Sequence, residues 1–323
     1  MPDILLIKTS SLGDVLHNLP MVTDICRQFP DAKIDWVVEE SFASLPALHP
    51  KVHSVIPVAV RRWRKSWWSS RIEMRSVYHR LRDQHYDFVL DTQGLFKSAL
   101  ITRCANLPRS GFDWKSAREP IASLLYERTY FVPKIQHAVE RNRQLAGLAL
   151  GYTPLGAPDY GIQSPALALP WLSPASPYVV LLHATSRDDK LWPEANWIAL
   201  GKQLAGDGFQ LVLPWGNAKE NARSERLAAE IPNAVSPPRL NLVEAAALLG
   251  HARAVIGVDT GLSHLAAALN VPTIGIYTAT DPGLTGLHAG IRAVNLGGKQ
   301  TSPSVDEVLQ TLVQLSTYRD DDS

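Results

Sequence analysis

Residues 4–20 read ILLIKTSSLGDVLHNLP, and this stretch decides the fold. Positions 4–8 form a short apolar run ending in Lys8, the pattern of a buried parallel strand. From 15 to 29, apolar residues recur at Val15, Leu16, Leu19, Val22, Ile25 and Phe29, which predicts a helix. Between them lies a polar loop, Thr9-Ser10-Ser11-Leu12-Gly13-Asp14. Open α/β sheets place ligands in loops that leave the C-terminal ends of their strands. Asp14, at the lip of the helix, therefore has two readings: an acid that caps the helix, or a general base turned toward a ligand.

The same strand–loop–helix unit recurs. Strands are expected at 34–38, 52–60, 88–91 and 109–112, with helices at 67–84, after Gly94 to Cys104, at 119–126 and at 137–150. Residues 151–177 hold six prolines and three glycines and keep no helical period, as a linker would. The pattern then restarts with strands at 178–183, 210–213, 254–258 and 273–277. Helices fall at 193–205, 218–230, 242–249 and 261–269, the first with Pro193 suited to its opening turn. Ser304 and Glu307 form a capping box for a last helix striped by Val305, Val308, Leu309, Leu312 and Val313. The polar tail from Arg319 is expected to fray. The alternation predicts an α/β protein with parallel sheets. The expected domains are 1–155 and 178–318, joined by 156–177, with the option that the last helix packs back on the first domain.

At 323 residues and 46% hydrophobic content the chain can bury two cores. Its two cysteines, Cys26 and Cys104, make neither a disulfide framework nor a zinc site, which points to a reducing, cytoplasmic compartment. The start shows no basic-then-apolar leader, and no apolar run approaches the roughly 20 residues of a membrane span. The net charge of +1 hides an asymmetry. Residues 1–150 carry 21 Lys and Arg against 15 Asp and Glu, a balance of +6; the remainder carries 11 against 16, a balance of −5. A basic first half suits an anionic partner such as phosphate, carboxylate or a membrane surface, or is a set of ordinary solvated helix faces.

Three further constellations carry chemistry. The strand at 254–258 runs into Asp259-Thr260-Gly261-Leu262-Ser263-His264. A helix starting at Gly261 presents free N–H groups and a positive dipole end, suited to a diphosphate. Asp259 and Thr260 either cap that helix or bind. His264 either reaches a phosphate or ribose or is a core histidine. The loop His183-Ala184-Thr185-Ser186-Arg187-Asp188-Asp189-Lys190 offers a compact cation in Lys190 and hydroxyls in Thr185 and Ser186. Asp188-Asp189 is more simply a solvated or capping pair than a metal site. Arg61-Arg62-Trp63-Arg64-Lys65 is the densest charge in the chain; arginine forks match carboxylates and phosphates. Nucleic acid is disfavoured by the near-neutral chain and by the lack of any helix-turn-helix, zinc-finger or RNA-binding signature. Trp67 and Trp68 beside the cluster would either rest on lipid or pack. No GxGxxG, GxxxxGK[ST], G-x-S-x-G or H-E-x-x-H is present, which argues against nicotinamide, P-loop, hydrolase and zinc-protease chemistry.

Taken together, residues 8–17, the 61–65 cluster, Asp91-Thr92-Gln93-Gly94, Asp189-Lys190-Leu191-Trp192-Pro193 and 258–265 resemble the bacterial lipopolysaccharide heptosyltransferases, nearest to the heptosyltransferase I type. The resemblance runs from about residue 4 to 281. It implies the GT-B fold: two Rossmann-like domains with parallel sheets facing a central cleft. It implies inverting transfer of L-glycero-D-manno-heptose from ADP-heptose to 3-deoxy-D-manno-octulosonic acid (Kdo) on lipid A, at the cytoplasmic face of the inner membrane, without a metal or other cofactor. On this resemblance Asp14 is the catalytic base. Thr185, Ser186, Lys190, Glu220, Asp259, Thr260, Gly261 and His264 bind the nucleotide sugar. Ser10 and Ser11 line the site, and Arg61, Arg62, Arg64 and Lys65 face the acceptor. One departure is Thr278-Ala279-Thr280-Asp281-Pro282, where family members often read Gly-Pro-Thr-Asp-Pro. Rival readings are heptosyltransferase II, a nucleotide-sugar epimerase on the same fold, and a two-domain binding protein without turnover.

Overall fold

A strand apolar at every position has to be covered on both faces, because successive side chains point to opposite sides of a sheet. β1 (Asp3–Ile7) meets that condition: Ile4, Leu5, Leu6 and Ile7 are all buried, each such side chain contributing roughly 1.5–3 kcal/mol of burial. The computed structural model describes residues 1–66, 68–105, 108–172 and 176–317. It divides into two units, Met1–Ile162 and Gln163–Ser323.

In the first unit β1 is followed by α1 (Leu12–Leu16), α2 (Leu19–Gln28), β2 (Lys33–Glu39), β3 (Val52–Val58), α3 (Val60–Trp63), α4 (Arg71–Asp83), β4 (Phe88–Asp91), α5 (Phe96–Thr102), β5 (Arg109–Phe112), β6 (Arg128–Tyr130) and α6 (Ala138–Leu150). The six strands form one parallel sheet in the order β3-β2-β1-β4-β5-β6. Ile4 is registered with Ile34 on one side and Phe88 on the other. Leu5, Ile7, Val37, Ile56 and Val89 pack with Leu81 of α4 into one core.

The second unit contains β7 (Tyr178–Leu182), α7 (Glu194–Gly206), β8 (Gln210–Val212), α8 (Ala218–Glu230), β9 (Ala234–Val235), α9 (Leu242–Gly250), β10 (Ala254–Val258), α10 (Gly261–Ala268), β11 (Thr273–Tyr277), α11 (Pro282–Thr285), β12 (Ala293–Gly297) and α12 (Val305–Thr317). Its sheet is also parallel, ordered β12-β11-β10-β7-β8-β9. Counted from each unit's first strand, the two orders are identical, the Rossmann order. In each sheet the strand sequence reverses beside the first strand: between β1 and β4, and between β7 and β10. Ligands of doubly wound sheets bind at the carboxyl ends of the strands at this switch point.

The structure corrects several expectations. The helix expected over 15–29 is two helices, α1 and α2, interrupted at His17-Asn18, with Pro20 seated in the first turn of α2, where its missing N–H costs nothing. The strand expected over 52–60 stops at Val58, and α3 follows at once. Residues 119–126 hold a 3-10 segment, Pro120–Leu125. The helix expected from 67 begins at Arg71; Trp67 lies outside the described residues, as does the tail 318–323. Pro193 is the N-cap of α7 rather than part of its first turn. β6, β9 and β12 were not expected; all three are edge strands, which need no continuous apolar run. Val308, Leu312 and Leu315 of α12 lie on one face and enter the second unit's own core with Val179, Trp197 and Ile274, while Val313 stays 66% exposed. Cys26 and Cys104 are free thiols. Among the described residues no helix is long and apolar enough to cross a membrane.

Candidate active site

Both switch points carry the loops singled out in the sequence. At the first, the 9–14 loop that leaves β1 lies against the Thr92-Gln93-Gly94 turn that leaves β4. Gln93 holds it: its Oε1 accepts from Thr9 N at 2.7 Å, Thr9 Oγ1 at 3.1 Å and Ser10 N at 3.2 Å, and its Nε2 donates to Ser10 O. Gln93 is set in turn by Asp91, whose Oδ1 accepts from the amides of Gln93 at 2.8 Å and Gly94 at 3.2 Å. Gly94 has φ +64°, a conformation glycine adopts without penalty. Tyr126 Oη donates to the other oxygen of Asp91 at 2.7 Å. Burial pushes the Asp91 carboxyl above the usual carboxylate range, against those hydrogen bonds.

Asp14 sits at the third position of α1, half-buried. Its Oδ2 accepts from Ser11 N at 2.9 Å and Ser11 Oγ at 3.1 Å, closing a capping box. Its Oδ1 takes no hydrogen bond from a described residue. The capping reading of Asp14 thus accounts for one oxygen, Oδ2, and not for the other. Lys8 lies behind it, 6% exposed, its Nζ donating to Thr92 O at 2.8 Å. Burial lowers the Lys8 pKa, while the charges of Asp14 and Asp91 raise it. Ser10 is buried, with Lys97 Nζ 3.4 Å from its Oγ. The peptide between Ser10 and Ser11 is cis.

The basic cluster follows β3 on α3 and the turn after it. Arg61, Arg64 and Lys65 are exposed. Arg62 differs: it is held by Glu40 at 2.9 Å and by both oxygens of Glu73 at 2.9 Å, and those bonds raise its pKa. Glu73 also accepts from Trp63 Nε1 at 3.0 Å. Arg62 therefore braces the cluster, and its three neighbours present the charge.

At the second switch point, Lys190 Nζ donates to Asp259 Oδ2 at 2.7 Å, Thr280 Oγ1 donates to the same oxygen at 2.8 Å, and Thr185 Oγ1 donates to Asp259 O at 2.9 Å. The loops leaving β7 and β10 are thereby tied to the loop after β11. Thr278 donates from Oγ1 to Asp189 O at 3.0 Å and closes the same loop from the other side. Neither Asp259 nor Thr260 caps α10 with its side chain, although Thr260 occupies the N-cap. Gly261 opens α10 without positive φ. The tight position is instead Gly257, where a Cβ would lie 2.3 Å from Ser263 Oγ. His264 is buried in α10.

Beside this cluster is a cavity of about 410 Å³ lined by Thr185, Ser186, Asn217, Lys219, Glu220 and Arg223, among others. Glu220 is aimed by its surroundings: Gly216 N and Asn217 Nδ2 each donate to its carboxylate at 2.7 Å. Asp188 and Asp189 are engaged by Lys219 and Arg187 respectively. The structure thus gathers Thr185, Ser186, Lys190, Glu220, Asp259, Thr260, Gly261 and His264 in one unit, and Ser10, Ser11 and Asp14 at the switch point of the other, with the 61–65 cluster leaving the same end of its sheet. Sequence reasoning did not single out Lys8, Asn217 or Arg223 as site residues, and gave Gln93 and Asp91 no role. The polar run DTQG directly after the apolar FVL was the signal for the last two.

The model of glycosyltransferase family 9 (heptosyltransferase) matches residues 74–312. The lipopolysaccharide heptosyltransferase 1 of Pseudomonas aeruginosa is 50% identical over 298 residues, 91% of this chain and 83% of that one. Among solved structures, the E. coli heptosyltransferase WaaC with ADP is similar with a TM-score of 0.89 at 43% identity, over 97% of this chain and 99% of that one. The lipopolysaccharide heptosyltransferase 2 of E. coli is only 26% identical, over 87% of this chain and 84% of its own length. The similarity is to heptosyltransferase 1 rather than 2, and the two Rossmann-ordered sheets are those of the GT-B class. On these grounds the chain is an enzyme, and it belongs to glycosyltransferase family 9, the heptosyltransferases.

Proposed function

We propose that this enzyme transfers L-glycero-D-manno-heptose from ADP-heptose to a Kdo residue of Kdo-lipid A, with inversion, as a peripheral protein on the cytoplasmic face of the inner membrane. The observation that carries the reading is the divided carboxylate of Asp14, one oxygen fixed and the other open, on the loop that leaves β1 at its switch point. The Kdo hydroxyl oxygen bonds to the anomeric carbon as the bond from that carbon to the diphosphate breaks. The hydroxyl proton passes to Asp14 Oδ1, and ADP leaves with the electron pair. A placed base contributes about 10²–10⁴-fold. Lys190 and the N–H groups that open α10 stabilise the charge gathering on the diphosphate. The scheme routes no step through a metal, because Lys190 and those N–H groups offset the diphosphate charge.

The test offers ADP-heptose with Kdo-lipid A, with an acceptor already carrying the first heptose, and with no acceptor. The expected result is transfer to Kdo-lipid A alone. Preference for the second acceptor would make the enzyme a heptosyltransferase II, and isomerised donor in the third arm an epimerase. Asp14→Ala should lower kcat by at least about 10²-fold and leave ADP affinity unchanged; lost ADP binding with intact transfer would reverse the roles of the two units.

A further inference from the structure

The six strands of the first sheet are parallel, so every loop leading out of a strand emerges at the same end. The segment after β1 there carries Asp14 in the first turn of α1, and the segment after β3 carries Arg61 on α3 with Arg64 and Lys65 directly after it. At the opposite side, β5 and β6 end in two further loops with a composition of their own. Trp114, Phe131 and Ile135 are exposed there, Ile135 by 86%, and Lys115 and Lys134 stand among them.

The backbone beneath these side chains is pinned. Asp113 N donates to Tyr130 O at 2.9 Å, Val132 N donates to Ser116 Oγ at 2.8 Å, and Arg141 of α6 donates to Ser116 O at 2.6 Å. Val132, directly after the exposed Phe131, is fully buried. The two loops are thus built as one fixed tip whose large apolar groups point away from their own core. Among the described residues no salt bridge engages Lys115 or Lys134. The two acids that flank Trp114 and Lys115 in sequence are engaged elsewhere: Asp113 Oδ1 accepts from Ser116 N at 2.8 Å and Glu119 accepts from Phe96 N at 2.6 Å.

We propose that this tip, Trp114, Lys115, Phe131, Lys134 and Ile135, docks the enzyme on an anionic phospholipid bilayer. Aromatic and aliphatic side chains enter the headgroup boundary while lysines pair with anionic headgroups. A protein partner is a poorer match, because lysine is depleted from protein–protein interfaces. The tip and the 61–65 cluster lie on opposite sides of the Asp14 loop at one end of one sheet. The proposal rests, for its purpose, on the reading of a lipid-borne acceptor, and the experiment keeps the two apart.

The full chain is sedimented with vesicles of phosphatidylcholine alone or with added phosphatidylglycerol. The wild type should pellet with the anionic vesicles and not with the neutral ones. Lys115→Gln and Lys134→Gln should each weaken that partition by about fivefold, and Phe131→Ser with Ile135→Ser by at least about tenfold. All variants should keep wild-type turnover on a deacylated, water-soluble Kdo acceptor. Variants that bind anionic vesicles like the wild type, or a wild type indifferent to phosphatidylglycerol, overturn the proposal. So does lost turnover on the soluble acceptor, which would place these residues at the sugar, or a dimer in sedimentation velocity that the Phe131 and Ile135 changes dissolve. If the wild type binds anionic vesicles but transfers nothing to Kdo, the docking face stands and the proposed function falls.

Discussion

The Asp14 carboxylate caps α1 through Oδ2, and the proposed function gives its other oxygen the acceptor's proton. What keeps that oxygen in place is less the five-residue α1 than Gln93, which holds Thr9 and Ser10 through four contacts, three of them to backbone. Removing that side chain orphans two buried N–H groups, at roughly 1–3 kcal/mol each, and lets the loop shift. A displacement of about 1 Å at a reacting group costs on the order of 10²-fold in rate. Gln93→Ala should therefore drop kcat by about that factor, while ADP affinity, which the proposed function assigns to the other unit, stays at the wild-type value. Titration calorimetry with ADP beside steady-state kinetics checks the split, and a comparable loss of ADP affinity would refute it. Lys8 adds a buried positive charge near the same carboxylate, a role its place at the end of an apolar strand did not announce.

Two histidines at element ends make the fold sensitive to acid. His183 directly follows β7, fully buried, with Arg223, Glu194 and Arg226 facing it; burial, then the arginines, push its pKa down to about 4. His49 caps the 3-10 segment Pro46–Leu48, accepts from Lys51 N at Nδ1 and is pushed down to about 4, chiefly by burial. A histidine whose folded pKa lies below its unfolded value takes up its proton more readily when unfolded. Its stabilising share is complete above pH 6.5 and is lost as the pH falls toward 4, up to about 3 kcal/mol per histidine. Urea midpoints should fall over that window, and His49→Gln or His183→Asn should flatten the fall; an unchanged slope in both variants would refute the assignment. The strands that begin and end these arrangements were legible wherever they were buried on both faces: 254–258 and 273–277 fall where periodicity put them. Edge strands such as Arg128–Tyr130, exposed and polar, carried no such signal. Half-site loops were legible because they follow apolar runs. Their partners, such as Asn217 for Glu220, were not, since a hydrogen bond between a cap and its helix leaves little trace in composition.

Over the whole molecule, charge and recognition are divided in a way that local motifs do not reveal. The unit to which the proposed function assigns the nucleotide sugar is the acidic one, so an anionic donor is not drawn in by the net field of that unit. It must be held by short-range groups: Lys190, 18% exposed and paired with Asp259, and the N–H groups that open α10. The proposed acceptor is also anionic, but the unit assigned to it is basic, and Arg61, Arg64 and Lys65 stand in solvent. Exposed charges lose their reach as the Debye length shrinks from about 10 Å at 0.1 M salt to about 3 Å at 1 M, whereas partly buried pairs are screened much less. Raising salt across that range should therefore increase the KM for the acceptor several-fold and change the dissociation constant of ADP by less than about twofold. Replacing Arg61 and Arg64 by Gln should remove most of the salt dependence of the first quantity and none of the second. If ADP binding instead proved the more salt-sensitive of the two, the basic half would be serving the donor, and the assignment of substrates to units would have to be exchanged.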